Sequence, residues 1–334
     1  MNTSNNFVLY NTTFSLFRLS PFFTGSPIPP NDKMLANYAQ NFRDVLSGEA
    51  LRGIKMGIDN ESALLSRAGS LQNVNWVILY GKDLIGIQTD ENSLSEIEIE
   101  ERGMLVTVSY ENTKYRAIFL KDKDISNYNI DFTKNGFHHF PLLLLKMPVK
   151  LQKSFTDYLA STFDTRISSL FIGEECLKDC FEKYISDVCL YQLSNDENME
   201  MNIKIENIIK DTVLRLGFDL PNGSTLLKTI DIQVPSKDLS NMIRMSKTAS
   251  QVQFFEVIGD YLRAHLALDI QNSKVRITRI SCAAFILDAE GKFKLTQPSS
   301  IDEINAQQRA NRILISALIK ASTGNFIPEL NNEL

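Results

Sequence analysis

Hydrophobic and polar positions alternate along much of the first half of the chain, which is the pattern of half-buried β-strands. Six segments are strand-like, at residues 51–58, 75–80, 84–88, 94–101, 104–110 and 115–120. Most links between them are short, with turns expected at residues 81–83 and 111–113. Short links force neighbouring strands to run antiparallel, so the block predicts a meander.

Helical periodicity occurs before and after this block of strands. Apolar positions at Leu35, Tyr38, Phe42 and Val45 predict a helix over residues 32–46, which Gly48 would end. Further helices are expected at residues 150–161, 174–192, 251–268 and 300–320, with a short one beginning at Ser236. Further strands are expected at residues 7–19, 166–172, 201–209, 226–234, 274–280, 283–287 and 292–295.

This mixture predicts an α+β fold in two lobes, with a largely antiparallel sheet. We place the lobe boundary near residues 136–148. The expected domains are an N-terminal β-meander lobe with one helix at 1–140, a C-terminal α+β lobe at 141–322 and a tail at 323–334.

Composition limits the class of protein. The 334 residues are 43% hydrophobic and 22% charged, with a net charge of −5, which is typical of a globular protein that can bury a full core. The negative charge argues against a protein held to nucleic acid by charge alone, although it does not exclude a local basic groove. Without a signal-peptide pattern or an apolar stretch near the roughly 18 residues that span a bilayer, we expect a soluble intracellular protein with no membrane contact.

Catalytic and metal-binding chemistry has little support in the sequence. It contains no glycine-rich phosphate loop, no G-x-S-x-G elbow and no H-E-x-x-H motif. His138 and His139 would point in opposite directions in an extended segment, and His265 lies on a helix, so packing is the simplest interpretation of each. Cys176 and Cys180 share a helix face without further zinc ligands at the usual spacing, so buried thiols are expected. We predict no catalytic residue, no cofactor and no metal.

Two further features of the sequence each have two interpretations. Ser20-Pro21 and Ser26-Pro27 are either targets of proline-directed kinases or simple turns. Six basic residues of the second half either contact DNA phosphates or form an ordinary solvated surface, which is the simpler interpretation: Arg263, Lys274, Arg276, Arg279, Lys292 and Lys294.

Five stretches, taken in their order and spacing, resemble one protein family. They are VLYNTTFSLFRLSP (8–21), LSGEALRGIKMGI (46–58), HHFPLLLLKMP (138–148), TFDTRISSLFIGEECL (162–177) and LLKTIDIQVPSKDL (226–239). Together they resemble the fungal form of CENP-L, an inner-kinetochore subunit. The resemblance covers about residues 8–295, and no stretch in it is a catalytic fingerprint.

The resemblance implies a curved, largely antiparallel sheet with helices packed on it. It also implies a non-enzymatic scaffold in the nucleus, at the centromere and kinetochore, that pairs with a CENP-N-like subunit through its C-terminal half. The pair would join other inner-kinetochore subunits and help to link CENP-A nucleosomes and centromeric DNA to the kinetochore. A homodimer is possible for the isolated chain, because an exposed strand edge can pair with a copy of itself.

Seven apolar strand residues are candidates for the partner interface, although any one of them is more simply explained as core: Ile230, Ile232, Val234, Ile277, Ile280, Phe285 and Leu287. Two other functions remain open. One is a DNA-binding module that grips DNA with a curved sheet, and the other is an enzyme without a linear motif, which would need a deep pocket with convergent polar groups.

Overall fold

The computed structural model describes residues 7–51, 67–85, 101–121, 135–193, 206–219, 228–248, 253–298 and 301–324. Most of the strands expected at residues 51–58, 84–88 and 94–101 lie outside the described residues, as does the helix start expected at Ser300.

The chain divides into two compact units. Unit 1 comprises Met1–Val8, Phe14–Leu170 and Leu318–Gly324, and unit 2 comprises Leu9–Thr13, Phe171–Ala317 and Asn325–Leu334. The boundary that the sequence placed after residue 140 falls inside unit 1, because the strand and the helix that follow it pack with the strands before it.

Unit 1 is built on an antiparallel sheet. Its strands are β1 (Thr13–Leu19), β2 (Phe22–Phe23), β3 (Leu71–Tyr80), β4 (Glu101–Tyr110), β5 (Lys114–Leu120), β6 (Phe137–His138), β7 (Leu142–Lys146) and β8 (Ile167–Ser169). The main sheet has the order β8–β1–β7–β5–β4–β3, and β2 pairs separately with β6. The expected meander is confirmed in β3, β4 and β5, with a turn at residues 111–113 in which the Tyr110 N–H donates to the Thr113 carbonyl (2.8 Å).

Helices α1 (Asp32–Leu51), α2 (Gly81–Ile85) and α3 (Val149–Phe163) complete unit 1. The Asn31 side-chain oxygen accepts the Met34 N–H (3.0 Å) and so caps the start of α1. Leu35 and Phe42 of α1 are fully buried in the core of unit 1, together with Phe155 and Leu159 of α3. Two sequence predictions are wrong here: α1 runs past Gly48, and residues 81–83 begin a short helix rather than form a turn.

Unit 2 contains a second antiparallel set of strands. These are β9 (Thr212–Phe218), β10 (Thr229–Val234), β11 (Val275–Ser281), β12 (Phe285–Asp288) and β13 (Lys292–Leu295), paired in the order β10–β9–β11–β12–β13. The register of β11 on β9 shifts between Ile277 and Arg279, so one extra residue lies there. A bulge of this kind turns Ile277 and Ile280 to the same face of the sheet, and both are buried.

The helices of unit 2 are α4 (Glu174–Leu193), α5 (Ser236–Thr248), α6 (Phe254–Leu266) and α7 (Ile301–Thr323), the last ending in unit 1. Phe181 and Tyr184 of α4 pack on Phe285 of β12, with ring centroids 6.2 and 4.9 Å apart. Helices therefore cover the apolar face of antiparallel strands in unit 2. The α+β fold with a largely antiparallel sheet is confirmed.

Candidate partner-binding surface

Strand β10 lies at one edge of the sheet of unit 2. Its register with β9 is antiparallel throughout, from Thr229 opposite Gly217 to Val234 opposite Thr212. On its other side, no described residue pairs with it. We call that side the free edge.

One hydrogen bond shows which backbone groups of β10 are directed at β9. The Phe218 N–H donates to the Lys228 carbonyl (3.0 Å), so these two residues form a hydrogen-bonded pair. In an antiparallel ladder, such pairs recur at every second residue. The backbone groups of Ile230, Ile232 and Val234 are therefore directed at β9, and those of Thr229, Asp231 and Gln233 are directed at the free edge.

The side chains of β10 divide between the two faces of the sheet. Ile232 and Val234 are buried on the inner face, whereas Thr229, Asp231 and Gln233 are exposed. Ile230 is half-buried, and it has more exposed surface than the other six residues of the expected apolar interface.

The remaining residues of the expected interface lie in the core of unit 2. Ile277, Ile280, Phe285 and Leu287 are each about 1% exposed. Their side chains pack within this chain and present no surface to a second protein in this conformation. A partner that binds here would contact the free edge and Ile230. The role of the other six residues in partner binding stays a prediction.

The outer face of the sheet has a charged row that crosses four strands. Successive cross-strand neighbours are Asp231 of β10, Arg215 of β9, Arg279 of β11 and Asp288 of β12. Arg215 donates from Nε and Nη2 to the two carboxylate oxygens of Asp231, at 2.6 and 2.7 Å. These bonds lower the pKa of Asp231 and raise that of Arg215, so the pair stays charged.

Acidic neighbours accompany three of the six basic residues proposed for DNA contact. Arg263 of α6 donates to Asp260 (3.0 Å) and Asp269 (3.1 Å). Lys274 lies 4.0 Å from Asp219, and Arg279 is opposite Asp288 in the charged row.

The other three basic residues differ in their exposure. Arg276 and Lys292 are exposed and Lys294 is half-buried. Arg276 and Lys294 form no ion pair with any residue of the described ranges. The structure therefore places five of the six residues on or beside the sheet and Arg263 on a helix, and three of the six have an acidic neighbour.

Sequence reasoning missed β9, and with it Arg215. The signal was present in residues 212–216, where Thr212, Leu214 and Leu216 alternate with Val213 and Arg215. All three residues of the first set are fully buried. The central position of the strand in unit 2 explains why its inner face is wholly apolar apart from the Thr212 hydroxyl, which bonds to the Ile209 carbonyl.

Comparison with known proteins decides the family. Residues 8–323 match the family described as CENP-L, Centromere protein L. This chain belongs to the CENP-L family. It is also 20% identical over 289 residues to "Inner kinetochore subunit fta1" of Schizosaccharomyces pombe (strain 972 / ATCC 24843), a match that covers 86% of this chain and 89% of the relative. The resemblance seen in the sequence is confirmed.

Membership of the CENP-L family places the role of the chain at the kinetochore, in chromosome segregation. The expected location, in the nucleus at the centromere and kinetochore, is likewise confirmed. Among the described residues, no helix has the length and apolar character needed to cross a membrane.

The four cysteines of this CENP-L chain are buried, and the structure places none of them in a disulfide. Cys176 and Cys180 lie one turn apart on α4. A hydrogen bond between the two thiols lowers the pKa of Cys176 and raises that of Cys180. In the described part of the chain, no group of three or more His, Cys, Asp or Glu side chains is placed to hold a metal ion.

Unit 1 has one polar depression that bears on the enzyme hypothesis. Its volume is about 600 Å³, and it is lined by Ser20, Thr156, Asp157, Ala160, Asp164, Thr165, Arg166 and Ile167. Ser20 Oγ accepts the Arg166 N–H (2.8 Å), and Thr165 Oγ1 donates to the Ser20 carbonyl (2.9 Å). The Ser20 and Thr165 hydroxyls therefore bond to each other and to neighbouring backbone groups.

Proposed function

We propose that this CENP-L chain is a non-enzymatic scaffold of the inner kinetochore that forms a heterodimer with a CENP-N-like subunit. The heterodimer joins other inner-kinetochore subunits and helps to link CENP-A nucleosomes to the kinetochore. Family membership supports the kinetochore part of this proposal, as does the similarity to a protein named as an inner kinetochore subunit. The free edge of β10 supports the heterodimer.

The free edge carries the heterodimer proposal because its backbone groups are ready to pair. Thr229, Asp231 and Gln233 direct N–H and C=O groups away from β9, and no described strand satisfies them. A strand from a second protein gains main-chain hydrogen bonds at such an edge, while side-chain contacts give specificity.

Side chains next to the free edge limit which strand fits. Ile230 is half-buried and offers apolar surface, and Asp231 is held by Arg215 on the outer face. A partner strand with an apolar residue near Ile230 and no acidic residue near Asp231 would fit this edge, because like charges across a strand pair are destabilising.

One substitution blocks the free edge without removing a bond to β9. Gln233→Pro deletes an N–H that points away from β9, and proline is tolerated at edge-strand positions of this kind. The preceding residue, Ile232, is already extended, which is the conformation that proline favours before it. Gln233→Ala is the matched control, because it removes the same side chain and keeps the N–H.

The test is affinity purification of the tagged chain from its own cells, followed by mass spectrometry, with the native, Gln233→Pro and Gln233→Ala forms in parallel. We expect the native and Gln233→Ala forms to recover a CENP-N-like protein stoichiometrically, with other centromere proteins behind it. Gln233→Pro should recover much less of the CENP-N-like protein, while its thermal unfolding midpoint stays close to that of the alanine form.

Each contrary outcome removes a defined part of the proposal. Equal recovery by the proline form places the partner elsewhere on the chain. Recovery of the chain with only its own copies would replace the heterodimer by a homodimer. Absence of every centromere protein from the native sample would contradict the scaffold role and make the enzyme hypothesis worth testing.

A further inference from the structure

The loop after β2 contains a serine–proline pair in which Pro27 is exposed and Ser26 is half-buried. Its residues Gly25, Pro27, Ile28 and Pro29 are exposed, and Ile28 is 66% exposed. The chain bends at Gly25, Pro27 and Ile28, and Pro27, Pro29 and Pro30 restrict this shape, because each proline fixes φ and limits the residue before it. A segment whose backbone is already restricted loses less conformational entropy when an enzyme binds it.

Hydrogen bonds fix the backbone of this loop, and they involve the oxygen but not the hydrogen of the hydroxyl of the half-buried Ser26. The Thr24 N–H donates to the Gly136 carbonyl (2.9 Å), and His138 Nε2 lies 3.0 Å from the Ser26 carbonyl oxygen. Ser26 Oγ accepts the Ile28 N–H (3.2 Å) in a serine turn, and no described group accepts a hydrogen from it. Replacing the hydroxyl hydrogen therefore leaves the turn intact.

Ser20 has the same following residue but a different environment. Its Oγ accepts the Arg166 N–H (2.8 Å) and lies 3.2 Å from Thr165 Oγ1. Thr165 is 4% exposed, and Leu19 and Phe22, on either side of the Ser20-Pro21 pair, are buried in the core of unit 1. Ser20 is half-buried, as Ser26 is, but the Leu19 and Ser20 N–H groups donate to the Pro141 and Arg166 carbonyls (both 3.0 Å). A kinase could therefore bind the backbone around Ser20 only after this part of the sheet had opened.

From this contrast, we propose that Ser26 is a phosphorylation site for a proline-directed protein kinase, and that folding protects Ser20 from the same kinase. In the transfer, Ser26 Oγ attacks the γ-phosphorus of magnesium-bound ATP. The bond from that phosphorus to the β–γ bridging oxygen breaks, ADP leaves, and the hydroxyl proton passes to the base of the kinase. No oxidant or other co-reactant is needed, and the site does not depend on the proposed heterodimer.

The phosphate would be placed beside a buried histidine. Because a carbonyl oxygen only accepts, the His138 Nε2 that faces Ser26 carries the hydrogen. Burial holds the pKa of His138 below its ordinary value, and Lys121 lowers it further, while the Ser26 carbonyl and Glu101 oppose the shift. Lys121 itself is bonded to Glu101 (2.8 Å). A phosphoserine adds a charge of about −1.5 to −2, so modification should raise the pKa of His138.

The first experiment treats the folded full-length chain with an active proline-directed kinase and magnesium ATP, and follows occupancy at each serine by mass spectrometry. We expect Ser26 to be modified at least about tenfold faster than Ser20, because Ser20 reacts only through local opening. Ser26→Ala should remove most phosphate incorporation, and Ser20→Ala should leave it unchanged. A synthetic peptide of residues 8–33, which has no fold, should be modified at both serines.

The second experiment follows the ring signals of the three histidines by NMR across a pH titration. Phosphorylation should move the midpoint of His138 to higher pH, and the Ser26→Ala chain, treated alike, should show no such shift. Comparable rates at the two serines of the folded chain would overturn the proposal. So would a folded chain that is modified at neither serine, whether or not the peptide reacts.

Discussion

At the scale of single residues, unit 2 contains a buried series of side-chain hydrogen bonds that the sequence analysis did not predict. Tyr184 Oη donates to Asn311 Oδ1 (3.2 Å), and Asn311 Nδ2 donates to Tyr10 Oη (3.1 Å). Asn311 is fully buried on α7. Burial raises the pKa of Tyr10 to about 12 and also raises that of Tyr184 well above its ordinary value, so both phenols are neutral partners of the amide. One asparagine thus joins three separate parts of unit 2.

Replacing that asparagine should destabilise the protein measurably. Asn311→Ala removes both of these bonds, and a buried polar group that loses its partner typically costs about 1–3 kcal/mol. We expect the free energy of unfolding, measured by urea titration, to fall by about that amount. Asn241→Ala, at an exposed position of α5, is the control and should stay within about 0.5 kcal/mol of the native chain. A native-like Asn311→Ala chain would mean that water replaces the amide.

At the scale of elements, α1 and β4 show opposite consequences of a glycine. Gly48 lies inside α1, and no atom beyond its own helix backbone comes within 4 Å of the point that a Cβ would occupy, so an added methyl group meets open space. Gly103 of β4 lies so close to β5 that a Cβ would be 1.7 Å from the Phe119 carbonyl oxygen. That oxygen belongs to the backbone of a buried strand, so it cannot move aside easily.

The same substitution should therefore have opposite signs at the two glycines. Gly48→Ala should stabilise the chain by about 0.5–1 kcal/mol, because alanine loses less backbone entropy in a helix than glycine does. Gly103→Ala should destabilise it by at least about 1–3 kcal/mol, because the close approach of the added Cβ forces β4 from β5. Thermal and urea unfolding of the two variants measure both effects. A neutral Gly103→Ala would show that the two strands separate without loss of the ladder.

Those two glycines also show what sequence reasoning can and cannot provide. Gly48 indicated the end of a helix, but one glycine costs a helix only about 1 kcal/mol, which packing of Phe42 and its neighbours offsets. Strands such as β4, β5 and β13 were predicted because hydrophobic and polar residues alternate along them in the sequence. Strand β9 was missed because a central strand is defined by neighbours that are distant in sequence, namely β10 and β11.

The candidate site was less predictable than the strands that form it. Apolar residues such as Ile277 and Phe285 were identified as strand residues, and their strands were found. Whether such a side chain faces a core or a partner depends on which face the helices cover, and Phe181 of α4 covers Phe285. The free edge depends on strand order, which no local pattern in the sequence encodes.

At the scale of the whole molecule, charge decides how the chain can approach DNA. The net charge is −5, and Arg263, Lys274 and Arg279 each have an acidic neighbour. Electrostatic affinity for DNA comes from basic groups that replace counterions on phosphates. A basic residue that is already paired with a carboxylate gains less from a phosphate. We therefore expect weak DNA binding by the isolated chain and direct contact, if any, within a larger complex.

The residues that we propose for such a contact are Arg276 and Lys294, which form no ion pair within the described part of the chain. If the heterodimer binds DNA through this sheet, Arg276→Glu with Lys294→Glu should weaken binding to all sequences alike. The slope of log affinity against log salt should become shallower by about 2, since each phosphate that is no longer neutralised accounts for about 0.9. Fluorescence anisotropy of the purified heterodimer at several salt concentrations measures the slope. Arg263→Glu is the control, because Asp260 and Asp269 already neutralise that guanidinium. An unchanged slope in the double variant would show that this sheet does not contact the DNA, and it would assign the contact to the partner.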